Sequence, residues 1–184
     1  MGSITVKMIF LFEGPAGPFC GFKRVSLNKS HVIEHLRFAL ECKLQEAQEA
    51  ADSARADAIH EQSAAETQYD SLSIESGYLA EGQSERVDQA HRAIQAFEQT
   101  YTLSRPGVVQ VGALVELVDE QDQHHWFYVG PCEGGLKVIL GTSEVRVITL
   151  ASPVGQALQG REQGEEIEFN FNGKTQWLEV LELQ

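Results

Sequence analysis

At 184 residues, with 42% hydrophobic side chains and a formal net charge of −13, the chain can fill one or two packed domains but lacks the Lys/Arg stripe that grips a nucleic-acid backbone. Direct binding to duplex DNA is therefore not expected, and work near DNA or RNA would go through another protein first, one with a basic cleft. Cys20, Cys42 and Cys132 are odd in number without a CxxC spacing, and the longest apolar run, Met8 to Phe12, is too short for a membrane span. Neither a disulfide framework nor a zinc site is suggested, and a cytoplasmic protein with no membrane contact is the expectation.

Residues 1–27 carry one acid against three bases, are rich in aromatics, and are broken by Gly14, Pro15, Gly17, Pro18 and Gly21. No helix runs through such a stretch, and the GxxxxGK[ST] spacing of a phosphate loop is absent. A loose tail, or residues ahead of the natural start of the next element, is the expectation.

From Asn28 the pattern takes helical period. Ile33, Leu36, Leu40, Leu44, Ala47, Ala51, Ala54 and Ala58 recur at threes and fours, as do Val87, Ala90, Ile94, Phe97 and Tyr101. No proline lies between Lys29 and Leu103, whereas Ser71, Ser73, Ser76 and Gly77 weaken any continuous rod. Residues 28–103 are thus expected to form an antiparallel coiled-coil hairpin turning near residues 66–77. Its seam passes from Leu and Ile near the base to Ala from Ala47 outward, so the arms pack closely over little apolar area. Such a hairpin is either a plain spacer or a probe narrow enough for a channel. Glu34, Glu41, Glu46 and Glu49 read as a solvated outer face with partners such as Arg37 or Lys43.

Arg105-Pro106-Gly107 marks a boundary, after which residues 106–184 run with period two: Val109 and Val111, Ala113 to Val118, Trp126 to Val129, Lys137 to Leu140, Glu144 to Leu150, Ile167 to Phe171 and Trp177 to Leu183. Ser152 caps a short helix opened by Pro153, and Gly160 suits the left-handed position after it. Asn172-Gly173 is the pair that a two-residue hairpin turn demands. The fold class is α+β: the helical hairpin, then an antiparallel sheet with one short helix. His124 and His125 point to opposite faces of their strand, which argues against a two-His metal site, and Trp126, Tyr128 and Trp177 read as core or rim aromatics.

The order of hairpin, linker, "VGALVELVDEQDQHHWFYVGP" and "SPVGQALQGREQGEEIEFNFNGKTQWLEVLEL" resembles the Gre transcript-cleavage factors of bacteria, the GreA/GreB family, over about residues 28–184. The likeness is most specific in the last 35 residues. It implies an FKBP-like C-terminal domain that docks on RNA polymerase at the rim of the secondary channel while the hairpin enters the channel. It further implies an accessory factor, not an enzyme, expected as a monomer, without a cofactor of its own. Acidic residues at the hairpin tip would help hold a second Mg2+ jointly with the polymerase and orient the water that cuts backtracked RNA. Two metals clamping attacking and leaving oxygens is sound chemistry, and a hard carboxylate retains a weakly held ion; a carboxylate also accepts the water's proton.

At the tip the sequence departs from that family. The family's Asp-Leu-x-Glu-Asn ahead of a tyrosine meets Asp70-Ser71-Leu72-Ser73-Ile74-Glu75-Ser76-Gly77-Tyr78. Aligned on Tyr78, the acidic positions fall on Ser71 and Ile74, with Asp70 and Glu75 one residue outside them. Asp70 and Glu75 are the candidate catalytic and metal-assisting pair; Glu61 and Glu66 are possible substitutes, and His60 is a titratable neighbour. In the plain reading Asp70 caps the second helix. Three functions remain open: stimulation of cleavage, a channel binder that competes with cleavage factors, and prolyl isomerisation, which the fold alone suggests and which would need an aromatic-lined pocket.

Overall fold

The computed structural model describes residues 27–64, 71–101, 107–171 and 174–184. The tail 1–26, Glu66, Asp70, Arg105-Pro106 and Asn172-Gly173 lie outside the described residues. So do the side chains of His60, Glu61 and Glu75.

Helix α1 spans Lys29–Ala64 and α2 spans Ser71–Thr100. Asn28 caps α1: its Oδ1 accepts from the Ser30 N–H at 2.9 Å, and its carbonyl accepts from His31 and Val32. Helix α2 begins at Ser71, so Ser71, Ser73, Ser76 and Gly77, expected in the turn, lie within the helix. Their propensity cost is a few tenths to about 1 kcal/mol each, small enough for a long helix to absorb.

Two compact units divide these residues: Arg37–Ala96, and Phe97–Gln184 together with the residues up to Leu36. In the first, the buried side chains are Ala39, Leu40, Ala51, Ala54 and Ala93. Arg55 of α1 donates to Ser84 Oγ of α2 at 3.0 Å, which ties the two helices across 29 residues of sequence.

The second unit is built on a six-stranded sheet in the order β3-β4-β2-β1-β6-β5. Its strands are β1 (Leu114–Asp119), β2 (His124–Val129), β3 (Lys137–Leu140), β4 (Ser143–Ile148), β5 (Glu166–Phe171) and β6 (Lys174–Leu183). The expected antiparallel pairing holds except between β2 and β4, which run parallel, so the sheet is mixed. The cause is the return path: the chain leaves β2, runs back through β3 as an edge strand, and re-enters beside β2 in the same direction. Val109 and Val111 are not in a strand. Val109 instead exchanges backbone bonds with Arg161 O and the Gly160 N–H, at 2.8 and 2.9 Å.

Alternation along the strands makes two cores. One face buries Val115, Leu117, Val129, Ile148, Leu178 and Val180 with Leu158 of helix α3 (Pro153–Leu158). A bulge where Glu116 faces Glu182 and Leu117 faces Val180 keeps Leu178, Val180 and Leu183 on that side. The opposite face carries Leu114, Trp126, Tyr128, Val145 and Val147, all buried. Phe97 stacks on Tyr128 with ring centroids 6.1 Å apart, and Tyr101 lies 6.4 Å from the same ring. Burial pushes the Tyr128 hydroxyl up to about 12.

Gln184 closes this unit. Its backbone pairs with Leu114, its Oε1 accepts from the Lys29 N–H at 3.1 Å, and its Nε2 donates to Leu27 O at 2.7 Å. Leu27, assigned from the sequence to the end of the tail, is buried.

Candidate functional site

The hairpin end is the first candidate. Glu75 lies in the second turn of α2, and in sequence Asp70 immediately precedes that helix. Tyr78 and Leu79 follow at 72% and 57% exposure, one turn on from Glu75. Among the described residues no group of three or more His, Cys, Asp or Glu is placed to hold a metal ion. Asp70 and Glu75 are hard oxygen donors of the kind Mg2+ takes, and waters commonly complete its six-fold coordination around one or two carboxylates.

The end of the sheet around β2 is the second. His124 and His125 point to opposite faces, as expected, and each meets a carboxylate of β1. His124 Nδ1 lies 2.9 Å from Glu116 Oε1, and His125 Nε2 lies 3.0 Å from Asp119 Oδ2. Asp119 also accepts the Gln121 and Gln123 N–H groups at 2.9 Å, which tightens the β1–β2 turn. The His125 hydrogen bond, with those two amides, holds the Asp119 carboxyl below its usual value. Glu116 is only 3% exposed, and among the described residues its Oε2 has no hydrogen-bond partner. Its burial is not evident from the sequence, although a lone Glu in the stripe Leu114, Glu116, Val118 is the signal that marks it.

On the α3 face a groove of about 490 Å3 opens between β2, the β5–β6 pair and the start of α3. Phe127, Ile148, Val154, Phe169 and Leu178 give it an apolar lining, with Asp119, Glu120, Arg146 and Trp177 at its edges. Trp177 is a rim residue at 44% exposure, whereas Trp126 and Tyr128 are core. Arg146 is engaged by Glu144 at 3.0 Å, which with Lys137 forms a three-membered network. Arg146 first and Lys137 second hold the Glu144 carboxyl below its usual value.

The helix at the groove's edge explains the Ser-Pro-x-Gly pattern. Ser152 Oγ accepts from the Gly155 N–H at 3.1 Å and donates to Thr149 O at 2.7 Å, so its hydroxyl is committed to the cap and is not a free nucleophile. Gly155 is required by space, since a Cβ there would collide with the Thr149 carbonyl. Gly160, at φ +76°, takes the left-handed position expected after the helix.

These features stand beside a direct sequence match. Residues 104–184 match the family model "Transcription elongation factor, GreA/GreB, C-term". No curated protein gives a significant match. Among solved structures, the transcription factor Gfh1 is similar at 20% identity and TM-score 0.35, covering 80% of this chain and 92% of that one. GreA factor homolog 1 (Gfh1) of Thermus thermophilus is similar at 20% identity and TM-score 0.34, covering 80% and 94%. GreA/GreB from Nitrosomonas europaea is similar at 25% identity and TM-score 0.33, covering 45% and 64%. With TM-scores below 0.5 these structures carry no argument, and the likeness rests on residues 104–184, which are similar to the C-terminal domain of the GreA/GreB transcription elongation factors.

Proposed function

We propose that this protein binds RNA polymerase through its C-terminal domain, inserts the helical hairpin into the secondary channel and stimulates Mg2+-dependent cleavage of backtracked RNA. It acts as a cytoplasmic accessory factor, lending carboxylates to a metal the polymerase already holds and possessing no complete active site. The observation that carries this reading is the GreA/GreB match over residues 104–184, preceded by two long helices, with Asp70 between them in sequence and Glu75 in the second turn of α2. In this role Asp70 and Glu75 supply oxygen ligands and a proton acceptor for the attacking water; Mg2+, when bound, polarises that water and the scissile phosphate.

The spacing of the two acids favours a second reading. Asp70 and Glu75 are five apart in sequence, where the family's tip acids are three apart. A displaced acidic pair of this kind suits a non-cleaving binder that occupies the channel and competes with cleavage factors.

Stalled elongation complexes separate the two. Added protein should shorten backtracked transcripts in a Mg2+-dependent manner, and Asp70→Ala or Glu75→Ala should reduce the rate by roughly 100-fold or more, the weight of one positioned catalytic group. If the protein adds no cleavage and instead slows an authentic Gre factor, the second reading replaces the first. Failure to bind polymerase at all ends both.

A further inference from the structure

We infer that the sheet face opposite α3, along β1, β6 and β5, is a docking surface for an extended, arginine-bearing segment of a partner protein. Register sets its residues in rows. Trp126, Glu116 and Glu182 lie side by side across β2, β1 and β6. Two residues further along, His124, Val118, Glu179 and Glu166 make the next row, and Trp177 with Glu168 the one after it. Alternation puts these on one face, while Leu117, Val180, Leu178 and Ile167 enter the core on the other. Glu116 stands directly opposite Glu182, and Glu166 directly opposite Glu179, like-charge pairings that cost stability until a cation joins them.

Glu116 separates this face from an ordinary solvated charge run. Its residue is 3% exposed, its Oε1 meets His124 Nδ1 at 2.9 Å, and among the described residues its Oε2 has no hydrogen-bond partner. A buried carboxylate oxygen without a donor has lost its hydration for nothing in return. Three cations of the same domain are committed elsewhere: Lys137 and Arg146 to Glu144, and Arg161 to Glu165. Trp177 adds a ring, 44% exposed, that a cation can cover.

This chemistry selects the occupant. Residues 102–184 hold 12 acids against 5 bases, so the complementary segment is basic. Arginine suits better than lysine, because its planar fork binds carboxylates with two parallel hydrogen bonds and stacks on an indole. The rows are two residues apart, about 7 Å, which is the spacing of alternate side chains in an extended chain. Successive arginines would meet Glu116 with Glu182, then Glu179 with Glu166, then Glu168 with the Trp177 ring. This face lies across the sheet from the α3 groove, and the inference does not depend on the polymerase reading.

The probe is a short fluorescent peptide with arginine at every second position, titrated into the full chain at low salt and followed by anisotropy. Binding should saturate and weaken as salt is added. Glu166→Gln/Glu168→Gln/Glu179→Gln should weaken it roughly 10-fold or more. Glu116→Gln, which keeps the shape of the side chain, should weaken it by about as much, and Trp177→Ala by roughly threefold. Glu34→Gln/Glu41→Gln/Glu46→Gln removes the same charge from exposed positions of α1 and should leave the affinity unchanged. No binding, equal binding to the parent and the sheet-face variants, or an α1 variant weakened as much as the sheet-face triple each overturns the inference; the last would mean that net charge alone attracts the peptide. Equal affinity for a lysine peptide of the same spacing overturns it as well.

Discussion

The two compact units bury different chemistry. The sheet-bearing unit has Phe97, Leu36, Leu114, Tyr128 and Leu158 fully buried, while among the described residues the hairpin unit buries Leu40 and otherwise alanines. A fully buried Leu or Phe contributes about 1.5–3 kcal/mol, whereas one methyl contributes about 0.8 kcal/mol. The difference teaches that one sequence can separate a rigid holder from a lightly held extension. In the second unit little apolar area opposes the entropy of ordering two long helices. That arrangement suits an element whose final order is completed by a surrounding partner.

The contrast can be tested from its strongest point downward. Phe97→Ala removes the ring stacked on Tyr128 and should cost about 3–5 kcal/mol in urea denaturation. Gly155→Ala drives a methyl toward the Thr149 carbonyl and should cost about 1–3 kcal/mol, visible as a lowered Tm. In the hairpin, Ala54→Gly should cost only about 1 kcal/mol. Its effect should be faster amide exchange within residues 37–64 and 71–96, with β1, β2 and β6 unaltered. Equal acceleration in the sheet would mean that the two units open together, and the contrast would be lost.

The smallest effect concerns pH. The Asp119 carboxyl is held low by His125 and two backbone amides, so its contribution is fully present above the ordinary Asp value of about 3.9. It is lost as pH falls below that value and through the lowered folded one. Asp119→Asn should therefore flatten the acid limb of a stability–pH profile and leave the neutral region nearly parallel to the parent. An unchanged acid limb would remove Asp119 as a support of the β1–β2 turn.

Local chemistry was readable in the sequence where each signal had one structural solution. Ser152, Pro153 and Gly160 bound a short helix by capping geometry alone, and the alternation of Trp126 to Val129 placed β2. Signals with two solutions failed. The serines before Tyr78 suit both a turn and the start of a long helix, and helix length decided for the latter. Val109 and Val111 alternate like a strand, but among the described residues Val109 pairs with the segment after α3 and not with a strand. The parallel β2–β4 pair depends on how the chain returns through β3, which no local pattern encodes. For the candidate site, sequence identifies two acids and the described helix places the Glu75 backbone.

The clasp made by Gln184 bears on the order of events at the ribosome. Leu27 and Lys29 are held by a residue 157 and 155 positions downstream, so the foot of α1 lacks its fastening until translation has passed the final strand. Until then the nascent helix must wait, solvated or shielded by chaperones, and closing so distant a contact is slow by its loop length alone. Slow-codon or truncation effects on yield should therefore concentrate in the last strand rather than in the helices that it secures.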